Sequence, residues 1–188
     1  IPRFQPGADV IYCSVSKRVT GARVIGKRAG RPDKRRMETT GMYEGKLVRL
    51  RALESGDVAP SHDFVNDYET MRGVTSGMLY PSSFEDETRW ANGQSSYTHG
   101  EYQFGVETLR DGVFIGRCGF IRVDWKNRLA ELGILIGDKN YRGHGFGSDA
   151  VNVLCRFGFE ELNLHKVKAS VFDFNEGALR AYEKCGFV

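Results

Sequence analysis

Asn140-Tyr141-Arg142-Gly143-His144-Gly145-Phe146-Gly147-Ser148 is the stretch from which the rest of the chain is read. Before it, Leu129–Ile136 is an apolar run long enough for a strand and too short for a helix. After it, Phe146, Ala150, Val153, Leu154 and Phe157 recur at helical spacing, so the glycines fall where a strand turns into a helix. A helix start leaves its first N–H groups without intrahelical partners and carries partial positive charge, so it attracts anions. Glycines there let a ligand approach the main chain. The stretch reads as a cradle for a pyrophosphate.

Spacing separates the kinds of cradle. A dinucleotide fingerprint wants a third Gly or Ala three residues after the second, and Ser148 stands at that place. A P-loop wants Gly-Lys-Ser/Thr at its end, and no Lys occurs between Asn140 and Leu162. The pattern that fits is Arg/Gln-x-x-Gly-x-Gly/Ala, here Arg142 to Gly147, which resembles the acetyl-CoA-binding motif of the GNAT superfamily of N-acetyltransferases. On the glycine logic alone, a plain turn is an equal reading.

A chain of 188 residues, 40% hydrophobic and 27% charged, suits one globular domain. It has no apolar stretch near the ~20 residues of a membrane span, and nothing at its start reads as a signal peptide. Cys13, Cys118, Cys155 and Cys185 are widely spaced and form no metal-type pattern with the histidines; free thiols in a cytoplasmic setting are expected, with no metal. Residues 1–42 hold ten Lys or Arg against three Asp or Glu, a balance of +7, and the remainder holds 17 against 21, a balance of −4. With few element signals, residues 1–42 read as a basic leader expected to be disordered. Nucleic-acid binding through it is set aside, because it carries few aromatics and no recognised module. Met42 stands just before the first strand, so the folded domain is placed at 43–188.

Along that domain, residues 46–52 alternate as a strand, and Ser55 or Asp57 caps a short helix reaching about Asn66. Ser83 followed by Asp86 resembles a capping box for a helix to about Asn92. Strands at 102–109 and 113–124 flank Asp111-Gly112, a strong hairpin signal, and the turn 125–128 leads into Leu129–Ile136. Lys166–Phe172 follows a helix, so it should run parallel to Leu129–Ile136.

Asn175, Ala178, Tyr182, Lys184, Gly186 and Phe187 form a second cluster, in which Asn175 caps a helix that Gly186 ends. Their spacing resembles the last motif of the same superfamily. Together with 116–120 and 162–167, it is similar to the branch that holds ribosomal-protein N-terminal and polyamine acetyltransferases. The resemblance implies an α/β fold, a single mixed-sheet GNAT-like acyltransferase domain that lacks its last strands. It leaves the edge of Lys166–Phe172 without a partner, which invites homo-oligomerisation. It implies transfer of acetyl from acetyl-CoA to a primary amine, either a small-molecule polyamine or a protein N-terminus, by direct attack in a ternary complex. The cofactor set it implies is Leu135, Ile136, Arg142, Gly143, His144, Gly145, Phe146, Gly147, Ser148 and Asn175. Glu131 is the candidate general base, or else an exposed carboxylate paired with Arg122 or Arg128, and Tyr182 is the candidate acid for the leaving thiolate, or else a core aromatic. Tyr68, Tyr80, Phe84 and Trp90 are candidate walls of the acceptor pocket.

Overall fold

The runs that alternate, and those that are apolar throughout, all join one sheet. The computed structural model describes residues 10–16, 41–74, 79–94 and 101–188. Its strands are β1 (Val10–Ser16), β2 (Val48–Arg51), β3 (Tyr102–Thr108), β4 (Phe114–Asp124), β5 (Leu129–Ile136) and β6 (Lys166–Phe172), in the spatial order β1-β6-β5-β4-β3-β2. All neighbours are antiparallel except β5 and β6, which are parallel as their intervening helix requires. The helices are α1 (Val58–Asn66), α2 (Tyr68–Met71), α3 (Phe84–Gly93), α4 (Phe146–Glu160) and α5 (Glu176–Lys184).

The long helix α4 packs across β2, β4, β5 and β6. It buries Ala150, Val153, Leu154 and Phe157 against Phe120, Leu132, Val167 and Ala169, so the apolar stripe read at helical spacing is the core-facing one. On the other face of the sheet, Arg117 of β4 pairs with Glu87 of α3, and Ser61 of α1 donates to the same carboxylate at 2.7 Å. The Arg117 guanidinium lies 3.8 Å from the centre of the Trp90 ring. These contacts fasten α1 and α3 to the sheet. Two of the expected caps form: Ser83 accepts from the Asp86 amide at 3.1 Å and Asn175 accepts from the Ala178 amide at 3.1 Å. Asp57 stands at the N-cap of α1 but makes no side-chain cap bond there, its carboxylate being taken by Arg51 and the Glu54 amide.

Val10–Ser16 overturns the expectation of disorder for that part of 1–42. Val-Ile-Tyr-Cys-Ser-Val-Ser is β-prone and alternates, putting Cys13 and Val15 toward the core and Tyr12 and Ser14 away from it; Val15 is 2% exposed. A composition averaged over 42 residues, dominated by Lys and Arg, hides that run. The strand pairs antiparallel with β6 from Val10↔Phe172 to Ser16↔Lys166, so the edge expected to stand without a partner is covered. Residues 1–9 and 17–40, the rest of that expectation, lie outside the described residues.

Candidate functional site

The parallel pairing of β5 with β6 stops at Leu132↔Ala169. Beyond it the strands part, leaving the main chain of 133–135 without a strand partner on that side among the described residues and opening a wedge in the sheet. A cavity of about 670 Å³ occupies the wedge, lined by Ile134, Leu135 and Ile136, by the loop before α4, and by Asn175, Ala178 and Tyr182.

The loop is built from the sequence motif. Asp138 accepts from the Asn140 amide at 2.9 Å and starts a turn of 3-10 helix at Lys139–Tyr141. Gly143 and Gly145 then take φ of +78° and +91°, a region closed to most side chains. Gly145 is the N-cap of α4 and offers no side-chain cap, so the N–H groups of the first turn are left for a ligand. A Cβ at Gly143 would meet nothing within 4 Å, so open space faces the loop there. One acidic residue, Asp149, stands in this first turn, but its Oδ2 turns away to accept from the amides of Lys46, Leu47 and Val48 at 2.8, 2.7 and 3.1 Å. The cavity lining carries Arg72, Arg142, Arg180 and Lys184 against the single carboxylate of Glu69. Free helix amides and a basic wall fit a polyanionic ligand carrying a pyrophosphate.

Of the predicted cofactor residues, Leu135, Ile136, Arg142, Gly143, Gly145, Gly147, Ser148 and Asn175 line the cavity. His144 and Phe146 do not. His144 is exposed, and Phe146 packs edge-on against Tyr141 with ring centres 5.2 Å apart. The guanidinium of Arg142 is engaged in holding the fold: Nε donates to the Ile136 carbonyl at 2.8 Å, and Nη2 to the Gly137 carbonyl at 3.0 Å and Thr70 Oγ1 at 2.7 Å. Its contribution to an anion is therefore charge and loop geometry rather than a free fork of donors. Asn175 is likewise occupied, capping α5 through Oδ1 and donating from Nδ2 to the Gly73 carbonyl at 3.0 Å.

Tyr182 lies on the buried stripe of α5, 6% exposed, with its ring 5.3 Å from that of Phe187. Burial, with smaller contributions from the thiols of Cys13, Cys155, Cys185 and Cys118, pushes its phenol well above the ordinary tyrosine range, so it keeps its proton. Glu131 sits where the β5–β6 pairing is about to end, on the sheet face opposite α4. Its carboxylate accepts from Ser170 Oγ at 2.9 Å, has Arg122 at 4.0 Å across the strand pair, and is 29% exposed. It is outside the cavity lining. Tyr68, Tyr80 and Phe84 are exposed, Trp90 is stacked under Arg117, and none of the four lines the cavity.

Sequence reasoning missed Glu69, Thr70, Arg72 and Gly73, which line the cavity from α2 and the residues after it. No spacing rule marks a four-residue helix, and Arg142, to which Thr70 is bonded, is 72 positions away. Arg180 was missed as well; it stands four positions before Lys184 on the helix of the second motif, and that spacing was the signal that could have found it. Among the described residues, no helix is long and apolar enough to cross a membrane.

The family model described as acetyltransferase (GNAT) domain matches residues 48–188. Spermidine N(1)-acetyltransferase of Vibrio cholerae is 32% identical over 142 residues, which cover 75% of this chain and 79% of that protein. The crystal structure of spermidine N-acetyltransferase from Vibrio cholerae in complex with CoA and spermine superposes with a TM-score of 0.67 at 32% identity, covering 75% of this chain and 80% of that one. A dodecameric structure of the Vibrio cholerae enzyme matches at a TM-score of 0.59 and 32% identity, over 75% of this chain and 79% of that one.

Proposed function

The chain belongs to the acetyltransferase (GNAT) family and uses acetyl-CoA as its cosubstrate, and from that premise we propose that its acceptor is the primary amine of a polyamine, attacking directly within a ternary complex. The observation that carries the reading is the uncapped start of α4, opening onto a basic cavity that reaches through the gap between β5 and β6 to Tyr182. Support for the acceptor comes from the Vibrio cholerae relative, whose crystal structure holds CoA and spermine. The dodecameric form of that enzyme supports a homo-oligomer here.

Acetyl-CoA supplies an acyl group already activated as a thioester. The N–H groups between Arg142 and Ser148 hold its pyrophosphate, and the main chain of 133–135, which has no β6 partner, offers hydrogen bonds to its amide-bearing arm and to the acyl oxygen. Glu131, through a water molecule, takes the proton of the incoming ammonium, because only the neutral amine is a nucleophile. As the C–N bond forms and the C–S bond breaks, Tyr182 gives its proton to the departing sulfur, a task suited to a phenol that burial keeps protonated.

Mass spectrometry of an amine panel incubated with acetyl-CoA tests the proposal. Mono-acetylated spermidine or spermine is expected. Acetylated peptide N-termini with untouched polyamines would replace the acceptor, and CoA binding without any product would remove the transfer.

A further inference from the structure

Residues 67–74 lie across the cavity and are fastened to both of its lips. On the β5–α4 side, Arg142 Nη2 donates to Thr70 Oγ1 at 2.7 Å, and Lys139 Nζ donates to Asp67 Oδ1 at 3.0 Å. The Thr70 hydroxyl in turn donates a hydrogen bond to the Asp67 carboxylate, which also accepts from the Thr70 amide at 3.0 Å. On the β6–α5 side, Asn175 Nδ2 donates to the Gly73 carbonyl at 3.0 Å, and Arg72 stands over the Phe174 ring, 5.2 Å from its centre. The fit there is close: a Cβ on Gly73 would come within 2.9 Å of Asn175 Nδ2.

These fastenings end on residues that line the cavity. Arg142 opens the glycine loop, and Asn175 starts the helix that carries Tyr182. Thr70 is 5% exposed, so water does not compete for its hydroxyl, and losing a partner there leaves a buried polar group unsatisfied. The same segment continues directly from α1, whose Ser61 shares the Glu87 carboxylate with Arg117 on the face of the sheet that also carries Glu131.

We propose that residues 67–74 form a strap through which occupancy of the cofactor cavity is passed to the acceptor face, with Thr70 as its positioning residue. The inference rests on reading the cavity as the coenzyme A site. A ligand that fixes the distance between the glycine loop and the start of α5 fixes both ends of the strap. Its free energy of binding then favours one placement of α1, and by linkage an acceptor held by that placement tightens the cofactor equally. Thr70 touches neither reactant's reacting atoms in this role. It sets where the strap lies.

Hydrogen–deuterium exchange with coenzyme A alone tests the strap, with calorimetry confirming that coenzyme A is bound. In the wild type, amides of 68–74 are expected to exchange at least ~5-fold more slowly when coenzyme A is present, because both anchors of the segment are then held. Thr70→Val, which keeps the shape and deletes the hydroxyl, should reduce that slowing to below ~2-fold while coenzyme A still binds, and Thr70→Ser should restore it. Lys139→Ala, at an exposed position that cannot unfold the chain, should give an intermediate value. Equal slowing in the wild type and Thr70→Val overturns the strap, as does coenzyme A binding with no change at 68–74. No coenzyme A binding to the wild type overturns the reading of the cavity itself.

Discussion

Leu47 and Asp149, 102 positions apart, are joined by a hydrogen bond of 2.7 Å from the Leu47 amide to the Asp149 carboxylate. The amides of Lys46 and Val48 point at the same oxygen, and a Cβ on Gly45 would come within 2.3 Å of it. A carboxylate in the first turn of a helix is favoured by the dipole, and here it also gathers the chain just ahead of β2 onto the start of α4.

Asp149→Ala should therefore destabilise the domain, because three donors lose their shared acceptor. A loss of about 2–3 kcal/mol is expected, read as a fall in Tm of roughly 5–10 °C for a chain of this size. Differential scanning calorimetry checks it, and an unchanged Tm would show that water replaces the carboxylate without cost.

Tyr182→Phe removes one oxygen from a buried ring. The expected result is a kcat lower by about 100-fold, with the Kd for coenzyme A unchanged. Because burial holds the phenol above its ordinary value, the wild-type rate should show no alkaline fall from this group below about pH 10. A pH–rate profile of both proteins separates a lost acid from a disturbed site. Wild-type kcat in the phenylalanine variant would leave Tyr182 a packing residue.

Acid should weaken the fold through the cluster beneath β2. Arg51 reaches Asp57 with both Nη atoms, at 2.7 and 2.8 Å, and donates from Nε to Glu107. Burial alone would raise both carboxyl pKa values, and the guanidinium more than offsets it, so both lie below the usual carboxylate range. With the folded value depressed, the stabilisation is present above the unfolded pKa of about 4 and is lost as pH falls through the folded values. Wild-type Tm should drop steeply below about pH 4, and Asp57→Asn should start from a lower Tm and depend less on pH over that window. Parallel melts across the window check the difference in slope.

β1 makes a prediction of its own. Val15 is 2% exposed, and Tyr12, three positions earlier on the opposite face, is 76% exposed. Val15→Asp should lower stability by about 3 kcal/mol or more, whereas Tyr12→Ser should stay within about 0.5 kcal/mol of wild type. Equal effects at the two positions would mean that the strand's pairing with β6 contributes nothing to the folded state in solution.

How far the sequence could be read varied with the distance over which each signal acts. The strand, glycine turn and helix from Leu129 to Glu160 were legible because alternation, positive-φ glycines and helical spacing are all local. The cap at Asn175 was legible for the same reason. Arg142 was placed correctly beside the cavity, yet the direction of its side chain was not, since that depends on Thr70, 72 positions away, and on two carbonyls at the end of β5. β1 was lost to averaging: a seven-residue strand in a basic stretch has too little weight to change its composition. The aromatics Tyr68, Tyr80 and Phe84, expected along an acceptor pocket from residue type, are exposed and stand off the cavity by the glycine loop.

The break in pairing after Leu132↔Ala169 pierces the sheet from face to face. Residues of both faces line the slot, Ile134 and Ile136 from the side of α4 and Leu135 from the other. On the proposed reading, an inhibitor that joins coenzyme A to a polyamine would have to be narrow where it threads between β5 and β6.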